Sequence, residues 1–195
     1  MEIDLTSKSF SIFGLPDSGK STLANYILHE YGNQALIYDT LHEYPDNPFD
    51  SYEPKGTYDR DELERVTRRV MASRRYKLFV IDEANRFCPS KPTPLPQAIA
   101  DLNDFRAHYG LTVGYVCRRP VQLNQDLTEL SQYLFIFRLP GRNDLDFLKD
   151  TARGLEDEVM NLEKYHFVIV YPDRTFEVSA PVPKDFITQK MIQRR

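Results

Sequence analysis

Short continuous apolar runs alternate along this chain with longer stretches whose apolar positions recur every three or four residues. The runs are residues 10–13 (FSIF), 35–39 (ALIYD), 77–83 (KLFVIDE), 111–117 (LTVGYVC) and 132–139 (QYLFIFRL). Their length and their β-branched and aromatic content predict strands buried on both faces. Helical spacing follows the first run at Ala24, Ile27 and Leu28, and recurs in the charged stretch 59–75 at Leu63, Val66 and Val70. It predicts one buried helix and one amphipathic surface helix. Further helices are expected over about 96–109 and from near Asn143. Residues 166–171 and 175–179 read as a hairpin turning at Pro172, Asp173 and Arg174. Residues 40–57, rich in Pro, Asp and Tyr, read as an excursion loop. Strands alternating with helices in this order predict an α/β fold with a mainly parallel sheet.

Composition narrows the class. At 195 residues, 41% hydrophobic and 28% charged, the chain is expected to form a single domain with a real core over about 9–180 and a basic tail over about 181–195. Two cysteines, Cys88 and Cys117, provide neither a disulfide framework nor a four-cysteine zinc site. No apolar stretch reaches membrane-spanning length, and Glu2 and Asp4 stand where a signal peptide would be basic. A cytosolic protein without stable membrane insertion is expected. The net charge of −4 argues against a monomer that coats nucleic acid, but not against a ring with a locally basic channel.

The chemistry begins at the end of the first run. Residues 14–21 spell G-x-x-x-x-G-K-S, between a predicted strand and a predicted helix. In such a loop the backbone N–H groups curl around a triphosphate, a lysine reaches the β- and γ-phosphates and a serine hydroxyl binds Mg²⁺. This makes Gly14, Leu15, Pro16, Asp17, Ser18, Gly19, Lys20, Ser21 and Thr22 the candidate ATP-binding residues, with Ser21 on the metal. The helix that follows points its positive end at the anion. The run 77–83 closes on two carboxylates and looks like a Walker B strand. In such strands the first acid, here Asp82, holds Mg²⁺ through water, and the second, here Glu83, polarises the attacking water. That pairing specifies P-loop proteins with an extra strand between the two motif strands, a three-layer RecA-like architecture. Residues 111–117 are expected to be that strand, and its tip carries Arg118, Arg119 and Pro120 beside the crevice where open α/β sheets bind ligands.

Taken in order, GLPDSGKST, LIYDTLHEY, IDEANRF, FRAHYGL, CRRP and the closing LEKYHFVIVYP resemble the FtsK–HerA superfamily of DNA-pumping ATPases. Within it the chain is most similar to genome-packaging ATPases of tailless viruses with an internal membrane. The resemblance implies that Asp39 and Glu43 stand near the nucleotide and that Glu83 is the catalytic carboxylate. It also implies that Arg106, just before the HYGL turn, enters a neighbour's site in a homo-oligomeric, hexameric ring. A trans-acting arginine of this kind is worth about 10³–10⁵ in rate; the alternative is a helix-surface arginine. At CRRP the chain departs from the usual Thr-Gln-Arg-Pro, whose glutamine senses the γ-phosphate. Here Arg118 takes that place, so either Arg118 or Arg119 is the sensor, or the two form a solvated charge pair.

The implied partners are double-stranded DNA and capsid vertex proteins, in the host cytoplasm and the virion. Arg86 and Lys91, in the Pro-rich loop after the Walker B run, are the candidate DNA contacts, since several copies of one or two cations make a phosphate-tracking collar. Two other classes share parts of the pattern. A thymidine-kinase-type nucleoside kinase combines a P-loop with an Asp-Glu-Ala strand end, but carries a cysteine-rich zinc lobe. A regulatory, assembly or DNA-transfer ATPase of the same superfamily would want a membrane anchor.

Overall fold

The computed structural model describes residues 3–44 and 48–183. The expected basic tail lies, from residue 184 onward, outside the described residues. Strands β1 (Ser9–Phe13), β2 (Ala35–Tyr38), β3 (Asp50–Tyr52), β4 (Leu78–Ile81), β5 (Thr112–Cys117) and β6 (Tyr133–Phe137) run parallel. Strands β7 (Phe167–Val170) and β8 (Phe176–Ser179) extend the β6 edge as an antiparallel hairpin. The sheet order is β3-β2-β4-β5-β1-β6-β7-β8, so β5 lies between β1 and β4 as the paired motifs predict.

The helices are α1 (Lys20–Tyr31), α2 (Arg60–Ser73), α3 (Gln97–Phe105), α4 (Gln125–Leu130), α5 (Arg142–Thr151) and α6 (Leu155–Asn161). Successive strand residues point to opposite faces, and the core divides accordingly. Phe10, Ile12, Ile37, Val80 and Phe135 pack with Leu23, Ala24, Ile27 and Leu28 of α1. Phe13, Tyr38, Phe79, Ile81, Tyr115 and Ile136 pack on the other face with residues of α2, α3, α5 and α6. Both faces are covered, which is why the central strands read as unbroken apolar runs. The result is a three-layer α/β fold with a C-terminal antiparallel hairpin.

Several elements differ from the sequence pattern for local reasons. The 40–57 segment, expected to be a loop throughout, contributes β3. Asp50–Tyr52 pair in register with Leu36–Tyr38, and Tyr52 stacks on Tyr38 at 5.5 Å between centroids. The Tyr52 hydroxyl donates to the buried Glu62 of α2 at 2.9 Å. The expected 96–109 helix is α-helical only to Phe105 and tightens into a 3₁₀ turn over Arg106–Tyr109, closed by Gly110 at φ 60°. The helix expected from Asn143 is two helices, split where Gly154 takes φ 84°. Helix α4 had no apolar period to announce it; Asn124 caps it by accepting from Asp126 N at 3.0 Å. Among the described residues, no helix is long and apolar enough to cross a membrane.

Candidate nucleotide-binding site

Because β1, β4 and β5 are parallel neighbours, their C-terminal tips meet at one edge of the sheet. There a cavity of about 370 Å³ is lined by Pro16 to Thr22, Leu41, Glu43, Asp82, Glu83, Arg118 and Tyr165. The Gly14–Gly19 loop leaves β1 and enters α1 at Lys20. The Gly14 amide donates to Arg118 O at 3.2 Å, which fixes the loop to the tip of β5. A Cβ on Gly14 would lie 2.5 Å from Ser18 Oγ and 2.7 Å from Phe137 Cβ, so no larger residue fits there. Gly19 takes φ 109°, a conformation that side chains disfavour.

Several polar side chains at this edge are held by specific contacts. Lys20 is 9% exposed and its Nζ donates to Leu15 O at 2.9 Å. Burial lowers its pKa, against the pull of Glu83 and Asp82. The Ser21 hydroxyl donates to Glu43 Oε2 at 2.8 Å. Glu43 is delivered by Asp39, whose buried carboxylate accepts from the Glu43 and Tyr44 amides, both at 3.0 Å. Asp39 therefore shapes the 40–44 turn and does not itself line the cavity. The turn is tied to β4 where Thr40 Oγ1 donates to Asp82 O at 2.8 Å.

Asp82 is 4% exposed and its Oδ2 has no hydrogen-bond partner. Burial pushes its carboxyl up to about 7, with Glu43 and Glu83 adding to the shift. Glu83 sits at φ 48°, a left-handed conformation that is uncommon for glutamate. Its Oε1 accepts from Arg118 Nε at 3.2 Å, and its Oε2 lies 3.5 Å from Arg86 Nε.

These residues suit a magnesium nucleotide. Asp82 is a buried carboxyl with an orphaned oxygen beside two further acids, and a divalent ion would supply the counter-charge that such a cluster favours. Mg²⁺ takes one or two protein oxygens together with phosphates and water; Ser21 Oγ would be such an oxygen, and Asp82 would hold the ion through one of its waters. Among the described residues, no three His, Cys, Asp or Glu side chains group into a metal site by themselves.

The remaining candidates sit elsewhere. The Arg119 Nε donates to Asp144 Oδ2 at 2.7 Å, and Asp144 is 1% exposed, so the neighbour of Arg118 is committed to the start of α5. Arg106 lies at the opposite edge of the sheet, where β5 and β6 begin. Its guanidinium donates to Asn103 O and, at 3.0 Å, to Gln132 Oε1 of the same chain. Arg86 is largely buried, with its guanidinium 5.1 Å from the Tyr58 ring centroid as well as near Glu83. Lys91 is half-exposed and pairs with Asp126 at 2.9 Å. Tyr165 is a cavity residue that the sequence pattern did not single out, since nothing in its surroundings forms a phosphate-binding motif.

By sequence, no family model and no curated protein matches the chain. Solved structures do match. The genome packaging NTPase B204 of Sulfolobus turreted icosahedral virus 2, in complex with ATP-gammaS, superposes with TM-score 0.76 at 18% identity, over 93% of this chain and 100% of that one. The fold is that of a P-loop NTPase. The same P-loop fold recurs in B204, the DNA-packaging ATPase of Sulfolobus turreted icosahedral virus, with TM-score 0.74 at 15% identity over 92% of this chain and 100% of that one. It is shared more distantly by the N-terminal domain of zonular occludens toxin from Neisseria meningitidis, with TM-score 0.63 at 12% identity over 93% and 98%. The fold expected from the sequence and the fold shared with these structures agree.

Proposed function

We propose that this protein is an ATP-hydrolysing motor of the FtsK–HerA type that drives double-stranded viral DNA into a preformed capsid. The observation that carries the reading is the meeting of Lys20, Ser21, Asp82, Glu83 and Arg118 around one cavity at the tips of β1, β4 and β5. In this reading Lys20 would leave Leu15 O for the β- and γ-phosphates, and Ser21 and Asp82 would hold Mg²⁺, whose charge would offset that of the phosphates. Glu83 takes up a proton from the attacking water. That role requires its oxygens to be freed from Arg118 and Arg86 and turned toward the water. Arg118 can then serve the γ-phosphate side as a cationic sensor.

The packaging role rests on the ordered set of motifs and on likeness to two viral packaging ATPases. It implies a homo-oligomeric ring, a hexamer in our reading, docked on capsid vertex proteins. Arg106 would act on the neighbouring subunit and Lys91 would be offered to the DNA backbone, whereas Arg86, largely buried between Glu83 and the Tyr58 ring, is not free for the DNA contact expected of it. The Lys91–Asp126 pair is no obstacle, since an exposed ion pair contributes only about 0–1 kcal/mol. The decisive experiment measures phosphate release from ATP with and without duplex DNA, beside a thymidine phosphorylation assay. Stimulation by DNA is expected; phosphorylation of thymidine without it would move the protein to the kinase class.

A further inference from the structure

Residues Glu163, Lys164, Tyr165 and His166 form a tight turn closed by the His166 amide on Glu163 O at 3.1 Å. Its third residue, Tyr165, has φ 68°. That position of a turn is ordinarily filled by glycine or asparagine, because a bulky side chain is strained there. Tyr165 is also 47% exposed, so its ring is not held in place by burial in the core. A strained backbone carrying an exposed aromatic ring calls for an explanation outside the fold.

The topology supplies one. Strand β7 runs antiparallel to β6, pairing Phe167 with Phe137, so the turn before β7 reaches the same sheet edge as the P-loop. Tyr165 lines the cavity there with Pro16 to Thr22. The position a Cβ would take on Gly19 is 3.5 Å from Tyr165 Cδ1 and 3.1 Å from Phe137 Cε1. Phe137 and Phe167, with centroids 5.2 Å apart, form the floor on which the turn stands. The ammonium of Lys164 lies 4.8 Å from the Tyr165 centroid and occupies one face of the ring.

The geometry points to Tyr165 as the nucleobase platform of the cleft: the ring face away from Lys164 stacks on the purine of ATP, while the P-loop holds the phosphates. The assignment rests on the nucleotide reading of the same cleft and adds its specificity. The site would favour large purine rings over pyrimidines, because stacking grows with overlap of the π faces. It would also place the base across the P-loop from Glu43, Asp82 and Glu83, clear of the catalytic carboxylates.

The test compares binding of ATP, CTP and inorganic tripolyphosphate, each with Mg²⁺, by calorimetry on the full chain. The variants are Tyr165→Gly, which suits the backbone, and Tyr165→Phe, which keeps the ring. Wild type should bind ATP more tightly than CTP or tripolyphosphate. Tyr165→Gly should lose about tenfold or more in ATP affinity, bind tripolyphosphate like wild type, and melt no lower than wild type without ligand. Tyr165→Phe should keep ATP affinity. If the glycine variant is unstable, Tyr165→Asn, also at home at this φ, takes its place.

Equal ATP affinity in wild type and Tyr165→Gly would overturn the assignment. So would equal losses for ATP and tripolyphosphate, which would make the ring a support for the P-loop, or a loss in Tyr165→Phe matching that in Tyr165→Gly. Wild type binding tripolyphosphate as tightly as ATP would refute the platform and leave the phosphate site standing. Wild type binding neither would remove the nucleotide reading itself.

Discussion

Arg118 Nε lies 3.2 Å from Glu83 Oε1, so the cation at the tip of β5 rests on the acid at the tip of β4. Arg118 is 44% exposed and Glu83 only 10% exposed in their side chains, so the arginine has solvent to swing into when it releases Glu83 Oε1. We expect Glu83→Gln to bind ATP like wild type and to hydrolyse it about 10²–10⁴ times more slowly, since the amide keeps the shape and loses the base. Arg118→Ala should also keep binding but lose about tenfold or more in turnover. Arg118→Gln, which restores the residue usual at this place in the resembling ATPases, should retain more activity than the alanine. Wild-type turnover in Glu83→Gln would refute the assignment of the carboxylate; single-turnover phosphate release reads all three.

Asp82 gives a prediction in pH. Its carboxyl titrates near 7 in the folded protein against an ordinary 3.8, so between these values the native state holds a proton that the unfolded chain has released. Stability of the nucleotide-free protein then falls as pH rises from about 4 to about 7 and levels off above. Asp82→Asn removes this cost and should melt higher than wild type at pH 8, with the difference vanishing near pH 4. For a chain this size each kcal/mol of relief moves the midpoint by about 2–4 °C. The same variant should lose the stabilisation that Mg²⁺ and ATP give wild type. Thermal melts at several pH values, with and without Mg–ATP, test both halves.

Arg119 invites a structural experiment. With Asp144 almost wholly buried and its Oδ1 already unpartnered, Arg119→Ala leaves a carboxylate without its cation. The expected loss is about 2 kcal/mol, below the value for a fully buried pair because the Arg119 side chain is a third exposed. Arg119→Ala combined with Asp144→Asn should recover part of it. If Arg119→Ala kept full stability but lost ATP turnover only in the assembled ring, Arg119 rather than Arg106 would be the trans-acting residue.

Arg106 is tied to Asn103 and Gln132 of its own chain, at the edge of the sheet away from its own cavity. A role in catalysis therefore requires a second subunit. Arg106→Ala and Glu83→Gln proteins, each inactive alone, should regain partial ATPase activity when mixed under conditions where the ring forms, because some interfaces then hold both groups. Normal hydrolysis by Arg106→Ala within an intact ring would exclude it as the finger and turn attention to Arg119 and then Arg142.

The hydropathy pattern and the motifs were enough for the central strands themselves and for the place of β5 between β1 and β4. The apolar runs are buried on both faces, and the Gly-Lys-Ser loop and the Asp-Glu strand end each depend on residues adjacent in sequence. Local chemistry of that kind is legible without a structure. Contacts between residues distant in the chain were not. Strand β3 owes its existence to Leu36, Tyr38 and Glu62 rather than to its own Asp-Ser-Tyr. Arg118 and Arg119 are chemically alike and adjacent, yet one meets Glu83 and the other Asp144, because successive residues leaving a strand point to opposite sides. The antiparallel turn of β7 carries Tyr165 to the P-loop, and burial, with Glu43 and Glu83 brought alongside, drives the Asp82 carboxyl toward neutrality. Sequence determined which chemical groups this chain owns and which segments must be buried; tertiary structure decided which of those groups face one another, since burial and proximity set the charge a carboxyl carries and the partner an arginine keeps.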